Sequence, residues 1–251
     1  MSLNPDQWHA RYTQQARWTK ELRNYLLQRA GMENARFVLE VGCGSGAVLS
    51  GIGLEFNKPA FGLDIDDCYL TLAARNTPSV KLLQGDANFL PLKKAHFDIT
   101  FCHFLLLWVR DPTKIVSEMI RITKSGGAVL ALAEPDYGGR IDYPPKLSHL
   151  GALQTEALKR QGADPLIGRR LAEIFITLGL VNVETGILGA QWKNPPSPAN
   201  LQTEWAVLES DLSGFVSKSD IQEFKKEDAD AWSRGDRILY VPTFYSWGRV
   251  P

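Results

Sequence analysis

Val38-Leu39-Glu40-Val41-Gly42-Cys43-Gly44-Ser45-Gly46 is an apolar run carrying one acid and ending in three alternating glycines. The apolar half reads as a buried strand. The glycines read as a turn that comes close to a ligand, because no Cβ fills the gap or resists positive φ. Ala47-Val48-Leu49-Ser50 then opens a helix whose free N–H groups point back at the turn. Two ligand classes suit such a turn. Gly42-x-Gly44-x-x-Ala47 fits the looser form of the fingerprint that cradles a dinucleotide pyrophosphate. Glu40, two residues before Gly42, favours a cationic ligand instead.

Working outward, Pro59-Ala60-Phe61-Gly62-Leu63-Asp64-Ile65 reads as a second strand ending in Asp64, about twenty residues beyond the turn. A carboxylate there accepts hydrogen bonds from ribose hydroxyls, and both nucleotide readings want it. A third strand, Ser79 to Gln84, ends in Gly85-Asp86-Ala87, where an acid suits the exocyclic amine of adenine. Successive acidic strand ends make a poor home for phosphates.

These motifs resemble those of the class I S-adenosylmethionine-dependent methyltransferases. The match runs through Glu40-Val41-Gly42-Cys43-Gly44-Ser45-Gly46, Leu63-Asp64-Ile65 and Gly85-Asp86-Ala87. It continues in Phe97-Asp98-Ile99-Thr100-Phe101-Cys102-His103 and Thr123-Lys124-Ser125-Gly126-Gly127, covering roughly residues 35–135. Ser125 stands where the family usually has proline. The resemblance implies S-adenosylmethionine as cofactor. Glu40, Gly42, Cys43, Gly44 and Gly46 would surround its methionine part, Asp64 and Ile65 its ribose, and Asp86 and Ala87 its adenine. The subgroup most similar contains small-molecule methyltransferases of the ubiquinone/menaquinone type. A nicotinamide-dependent oxidoreductase and a non-catalytic S-adenosylmethionine-binding regulator are the alternatives.

The order of elements predicts an α/β fold: a doubly wound, mostly parallel, seven-stranded sheet covered by helices on both faces. Strands and helices alternate as Arg36–Val41, Ala47–Glu55, Ala60–Asp64, Asp66–Arg75, Val80–Gln84, Phe97–His103, Pro112–Thr123 and Ala128–Glu134. Residues 1–31 read as one helical lid over 5–29, with Tyr12 or Arg17 meeting the cofactor's carboxylate end. Residues 32–134 form the cofactor-binding core. Paired glycines and prolines mark 135–165 as an insertion capping the acceptor, and 166–251 completes the sheet within a single domain. In that last part Arg169–Leu178 is a helix, Val181–Leu188 a strand, 201–234 helical and Arg237–Trp247 the final strand.

Displacement at an activated carbon needs alignment, exclusion of water and, for some acceptors, proton removal. His103 at the end of the fourth strand is the candidate base, since imidazole titrates near neutrality, and it also borders the cofactor. Tyr137, in the loop Glu134–Tyr143, is the candidate acceptor-facing residue, with Asp136 or Arg140 orienting a polar group. Trp8, Tyr12, Tyr143, Phe104 and Trp108 suit a flat or prenylated acceptor. No metal is expected, because the fourth strand ends in Cys102-His103-Phe104 without carboxylates and no Cys-x-x-Cys pair occurs.

Composition fits one compact enzyme. The chain has 28 Lys plus Arg against 28 Asp plus Glu, so no global field favours nucleic acid or an acidic membrane. Three cysteines without a pairing pattern point to reduced thiols and a cytoplasmic setting. No run is long enough to span a bilayer, and the N-terminus lacks a basic-then-apolar signal. The expected partner is a small-molecule acceptor. Monomer and homodimer stay equally open.

Overall fold

A computed structural model describes residues 3–56, 58–189 and 195–251. The N-terminal region holds α1 (Pro5–Trp18) and α2 (Lys20–Arg29). Then come β1 (Val38–Val41), α3 (Leu49–Phe56), β2 (Ala60–Asp64), α4 (Asp67–Asn76), β3 (Lys81–Gln84) and β4 (Phe97–Cys102). The chain continues through α5 (Pro112–Ile122), β5 (Thr123–Pro135), β6 (Ile141–Tyr143), α6 (Ser148–Arg160), α7 (Leu171–Thr177) and β7 (Val181–Leu188). It ends with α8 (Pro198–Leu212), α9 (Lys218–Arg234), β8 (Ile238–Tyr240) and β9 (Thr243–Arg249).

The main sheet has seven strands in the order β3-β2-β1-β4-β5-β9-β7. β1 to β5 are mutually parallel, and β9 runs antiparallel between β5 and β7. β1 is buried along its length and apolar but for Glu40, as suits a central strand covered on both faces. One face packs Leu26, Leu27 and Met32 with Ile52 from α3. The other packs Ile115, Met119 and Ile122 of α5 with Phe175 of α7. The chain reverses its direction of growth between β1 and β4, so a crevice opens beyond their carboxyl ends, where doubly wound sheets bind ligands.

Two expectations need revision, the single N-terminal helix and the single final strand, and two others gain detail. The single helix over 5–29 is two, broken at Thr19. Its hydroxyl donates to the carbonyls of Gln15 and Ala16 and meets Nε2 of His103 at 2.8 Å. The insertion over 135–165 contains elements of its own, β6 and α6, and the loop expected at Glu134–Tyr143 includes β6. The final strand is two strands, because β8 leaves the main sheet and pairs antiparallel with β6. The helical stretch is likewise two helices, α8 and α9, each capped by a serine, Ser197 or Ser217.

Together these elements build a cap. Leu150 and Ala157 of α6 pack with Trp205, Leu208 and Leu212 of α8 and Ile221 of α9 as a third apolar cluster. Segments on both sides of β7 therefore contribute to the cap, joined through the β6–β8 pair.

Candidate active site

A cleft of about 280 Å³ lies over the carboxyl ends of β1 and β2. Its floor is the glycine turn, whose geometry is fixed by backbone bonds. The N–H groups of Gly42 and Cys43 donate to the Leu63 carbonyl at 2.7 and 3.0 Å. The N–H of Gly44 donates to Asp64 Oδ2 at 2.7 Å. Gly44 has φ +49°, and a Cβ there would stand 3.5 Å from the Tyr12 ring. A side chain at Gly42 would fall 2.6 Å from Leu105. Gly46 does not line the cleft: a Cβ there would meet Thr77 and Ala73 at 3.2–3.3 Å.

The two acids differ in their surroundings. Asp64 is half-buried and clamped by the N–H groups of Gly44 and Asp66, the latter at 3.0 Å. Each carboxylate oxygen has a second lone pair to offer. Glu40 is 2% exposed and its Oε2 has no hydrogen-bond partner. Burial pushes its carboxyl well above the usual range, Arg23 pulls it back, and Asp64 adds to the rise. An orphaned buried carboxylate oxygen fits a cationic group and repels a pyrophosphate. The residues present therefore fit S-adenosylmethionine: Glu40 toward its ammonium, Asp64 toward its hydroxyls and the 66% exposed Ile65 against its apolar base.

Not every sequence candidate reaches this cleft. Asp86 and Ala87 lie beyond β3 outside its lining. Asp86 spends Oδ1 on the N–H and side-chain amide of Asn88, both at 2.8 Å. Arg17 is exposed and lines no cavity described here, because its position turns it off the inner face of α1. Tyr12 does line the cleft, packed against Trp8 and Tyr69. Cys43 lines it as a buried thiol, its pKa raised by burial.

His103 borders the cleft as a buried ring, with Nε2 held by the Thr19 hydroxyl. Burial, aided by the positive charge of Arg23, lowers its pKa to about 3. The imidazole is therefore neutral at physiological pH but weakly basic. Glu134, at the end of β5, is not an acceptor contact. It is fully buried and receives the N–H groups of Leu105, Leu106 and Leu107 at 3.0, 3.0 and 3.2 Å. It thereby shapes the turn after β4, with its carboxyl raised by burial to about 7.

Beside the cleft lies a second cavity of about 440 Å³, between α1 and the cap. Tyr137 lines it, its phenol pKa raised by burial. Tyr143 and Trp108 do not, and Trp8 lines neither cavity. Gln15 and Phe104 line both cavities, so they form the boundary that any group passing between them must cross. Phe104 holds φ +53° and donates its N–H to the Ala133 carbonyl at 2.8 Å. Such strain in a bulky residue persists only when its surroundings fix it.

Sequence reasoning missed the polar wall of this cavity. Arg11, Gln14, Gln15 and Trp18 recur at i, i+3, i+4 and i+7 along α1 and line it together. That spacing was visible, but the stripe is polar, so a search for apolar periodicity passes it over. Arg11 pairs with Glu204 of α8 and lies 4.9 Å over the Trp18 ring. Deeper in, Arg140 and Arg237 both bind Asp142, through contacts of 2.6 and 2.8 Å. Arg237 also meets Asp228 at 2.6 Å, and Asp228 accepts from the Trp205 indole at 2.9 Å. Asp136 turns away to Arg169. Among the described residues no group of three or more His, Cys, Asp or Glu is placed to hold a metal ion.

Comparison with known proteins agrees with the geometry. Residues 39–131 match the methyltransferase-domain family. A demethylmenaquinone methyltransferase of Geobacillus stearothermophilus is 30% identical over 190 residues, 67% of this chain and 79% of that one. A malonyl-[acyl-carrier protein] O-methyltransferase of Hamiltonella defensa is 29% identical over 119 residues, 47% of this chain. The chain spans 46% of that protein, so about half the length of this relative is matched. Haemonchus contortus phosphoethanolamine N-methyltransferase 2, solved with phosphomonomethylethanolamine and S-adenosylhomocysteine, shares the fold. Its TM-score is 0.60 at 18% identity, covering 92% of this chain and 52% of that one. The fold and glycine–acid site define a class I Rossmann-like enzyme, and this chain belongs to the class I S-adenosylmethionine-dependent methyltransferases. An oxidoreductase reading is not favoured.

Proposed function

We propose that this chain transfers a methyl group from S-adenosylmethionine to a small organic acceptor enclosed between α1 and the cap. The observation carrying this reading is that the cofactor cleft and the cap cavity share Gln15 and Phe104 as their common boundary. When bound, S-adenosylmethionine supplies a sulfonium-activated methyl group for direct displacement. The protein's part is alignment and exclusion of water. Glu40, Gly42 and Gly44 would hold the amino-acid end and Asp64 the ribose. Phe104 and Gln15 would aim the acceptor at the methyl carbon.

His103 fits a positioning role better than that of a base. Its Nε2 is held by Thr19, it lines the cleft and not the cap cavity, and its basicity is low. It fastens the α1–α2 junction to the end of β4, and so orients the helix that both cavities share. Tyr137 is the acceptor-facing residue of the sequence reading that lines the cap cavity.

The aromatic lining and the likeness to demethylmenaquinone methyltransferases support a flat, quinone- or phenol-like acceptor. Balanced charge supports a small molecule over a nucleic acid. The unpaired cysteines Cys43, Cys68 and Cys102 support a cytoplasmic setting. Among the described residues no helix is long and apolar enough to cross a membrane. The test is turnover: S-adenosylhomocysteine should accumulate with a panel of phenols, hydroquinones and quinols. Tight S-adenosylmethionine binding with no turnover on any panel member would favour a binding protein instead.

A further inference from the structure

We infer that Arg23 is a positioning residue for the cofactor, acting through Glu40 as the buried counter-charge of that carboxylate. The inference rests on the reading of Glu40 as the partner of the cofactor's ammonium. Glu40 at 2% exposure and Arg23 at 3% carry opposite charges, both shut away from solvent. Each keeps one polar atom without a partner, Oε2 on the acid and Nε on the guanidinium.

Neutral groups fix the guanidinium in place. Its Nη1 donates to the Ala16 carbonyl at 2.8 Å and to the Thr19 hydroxyl at 3.3 Å. That hydroxyl is the one that meets His103. Helix α3 also comes close, since a Cβ on Gly51 would stand 3.4 Å from Nη2. None of these contacts is a carboxylate, so the positive charge is not spent on them. Arginine stays charged in proteins, and a buried charge without a compensating one is heavily penalised. Burial lowers the Arg23 pKa, and Glu40 opposes that more than Glu55 or Glu21 does.

Glu40 is faced by Arg23 from α2, by Asp64 from the end of β2, and by the thiols of Cys43 and Cys102. Burial raises both thiols, so they are uncharged, and the neighbouring His103 is neutral as well. Among the described residues Arg23 is thus the cation that offsets two carboxylates at adjacent strand ends. Without it Glu40 would be a buried acid beside the Asp64 charge, and such an acid takes up a proton. A protonated Glu40 has no charge to offer an ammonium. Because Oε2 and Nε are both unpaired, the two groups attract each other without tying up that oxygen, which stays available to a ligand.

The test is calorimetric titration of the full chain over a series of pH values with two ligands: S-adenosylhomocysteine, and methylthioadenosine, which lacks the amino-acid part. Removing a nearby opposite charge changes the ionised fraction of a carboxyl about tenfold or more. Arg23→Met should therefore weaken S-adenosylhomocysteine about tenfold at neutral pH, and the loss should shrink as rising pH ionises Glu40 unaided. The ligand's own ammonium titrates alike for every protein, so the differences between proteins carry the answer. Arg23→Lys should restore most of the affinity, and methylthioadenosine should bind every variant within about twofold of the original. In a Glu40→Gln protein, Arg23→Met should add no further loss. Where Arg23→Met does not fold, Arg23→Gln keeps a donor for Ala16 without the charge and is read in the same way. A loss equal for both ligands, a loss independent of pH, or one that adds to that of Glu40→Gln would overturn the inference and leave Arg23 a structural tie. Unchanged affinity in Arg23→Met beside weakened Glu40→Gln would overturn it too. If Glu40→Gln itself binds S-adenosylhomocysteine normally, the assignment of Glu40 to the ammonium is what has failed, and the inference falls with it.

Discussion

Removing the Asp64 carboxylate is the sharpest perturbation of the cofactor cleft. Asp64 works in two directions: inward, its oxygens receive the N–H groups of Gly44 and Asp66, and outward it offers its remaining lone pairs to two ribose hydroxyls. Hydrogen bonds to a charged group contribute about 1.5–3 kcal/mol each. Two hydroxyls sharing one partly solvated carboxylate contribute about 1–1.5 kcal/mol each, at or below the low end, which gives about 2–3 kcal/mol for Asp64→Ala. That is roughly a 30- to 160-fold rise in Kd. The Gly44 N–H also loses its acceptor, so the turn loosens and the loss cannot be smaller than the ligand bonds alone imply. Calorimetric titration with S-adenosylhomocysteine measures it, beside a thermal unfolding curve that confirms the fold. Asp64→Asn should fall between the two proteins, because its amide oxygen still accepts one bond. An Asp64→Ala protein that is folded and binds within about threefold of the original, less than 1 kcal/mol, would refute the ribose assignment.

Gly44→Val should abolish cofactor binding, since the residue needs φ +49° and a branched side chain would fill the space facing Tyr12; normal titration of a folded variant would show that the turn holds no ligand. His103→Asn probes linkage. With a folded pKa of about 3 against 6.5 unfolded, His103 favours the fold fully above pH 6.5 and progressively less as pH falls toward 3. The unaltered protein should therefore lose about 2 kcal/mol between pH 6.5 and about 5 that the variant does not. Glu40 and Glu134, with raised pKa values, move in the opposite sense, so the quantity to compare is the difference between the two proteins in urea unfolding. An identical pH dependence would place His103 in contact with solvent. Asp142→Ala strands Arg140 and leaves Arg237 with Asp228 alone, and should cost about 3–5 kcal/mol; a Tm shift of only a degree or two would contradict the buried network.

The half of the fold around residues 38–134 was legible because its signals are local. The strands expected at Arg36–Val41, Ala60–Asp64 and Val80–Gln84 are present as the parallel strands β1, β2 and β3, and the glycine turn lies directly after the first of them. The cap was not legible in the same way. Ile141–Tyr143 and Ile238–Tyr240 are three-residue strands that exist only because they pair with each other across the chain, so neither carries enough pattern alone. Val241-Pro242 separates β8 from β9, yet a run rich in aromatic and aliphatic residues reads as one strand. Thr19 broke a helix that its apolar spacing predicted to be continuous, because its hydroxyl satisfies local carbonyls and His103 at once. Of the arginines on α1 the sequence reading singles out Arg17, whereas Arg11 is the one that lines a cavity. Arg11 faces inward, where it pairs with Glu204, a partner far away in sequence.

The position of β9 has a consequence for how this chain reaches its native state. Among the described residues β7 hydrogen-bonds to the main sheet through β9 alone, and β9 also completes β5. A growing chain therefore carries β7 unpaired until residues 243–249 have been made, with α8 and α9 synthesised in between. During that interval β5 and β7 both present open edges, and open edges recruit other strands. Pairings this distant in sequence are slow to form, because loop closure must precede any gain from contact. The parallel half, whose neighbours are close in sequence, can order first, leaving sheet closure and the β6–β8 clasp of the cap as late events. Co-translational aggregation, if it afflicts this protein, should track the time spent before Arg249 emerges.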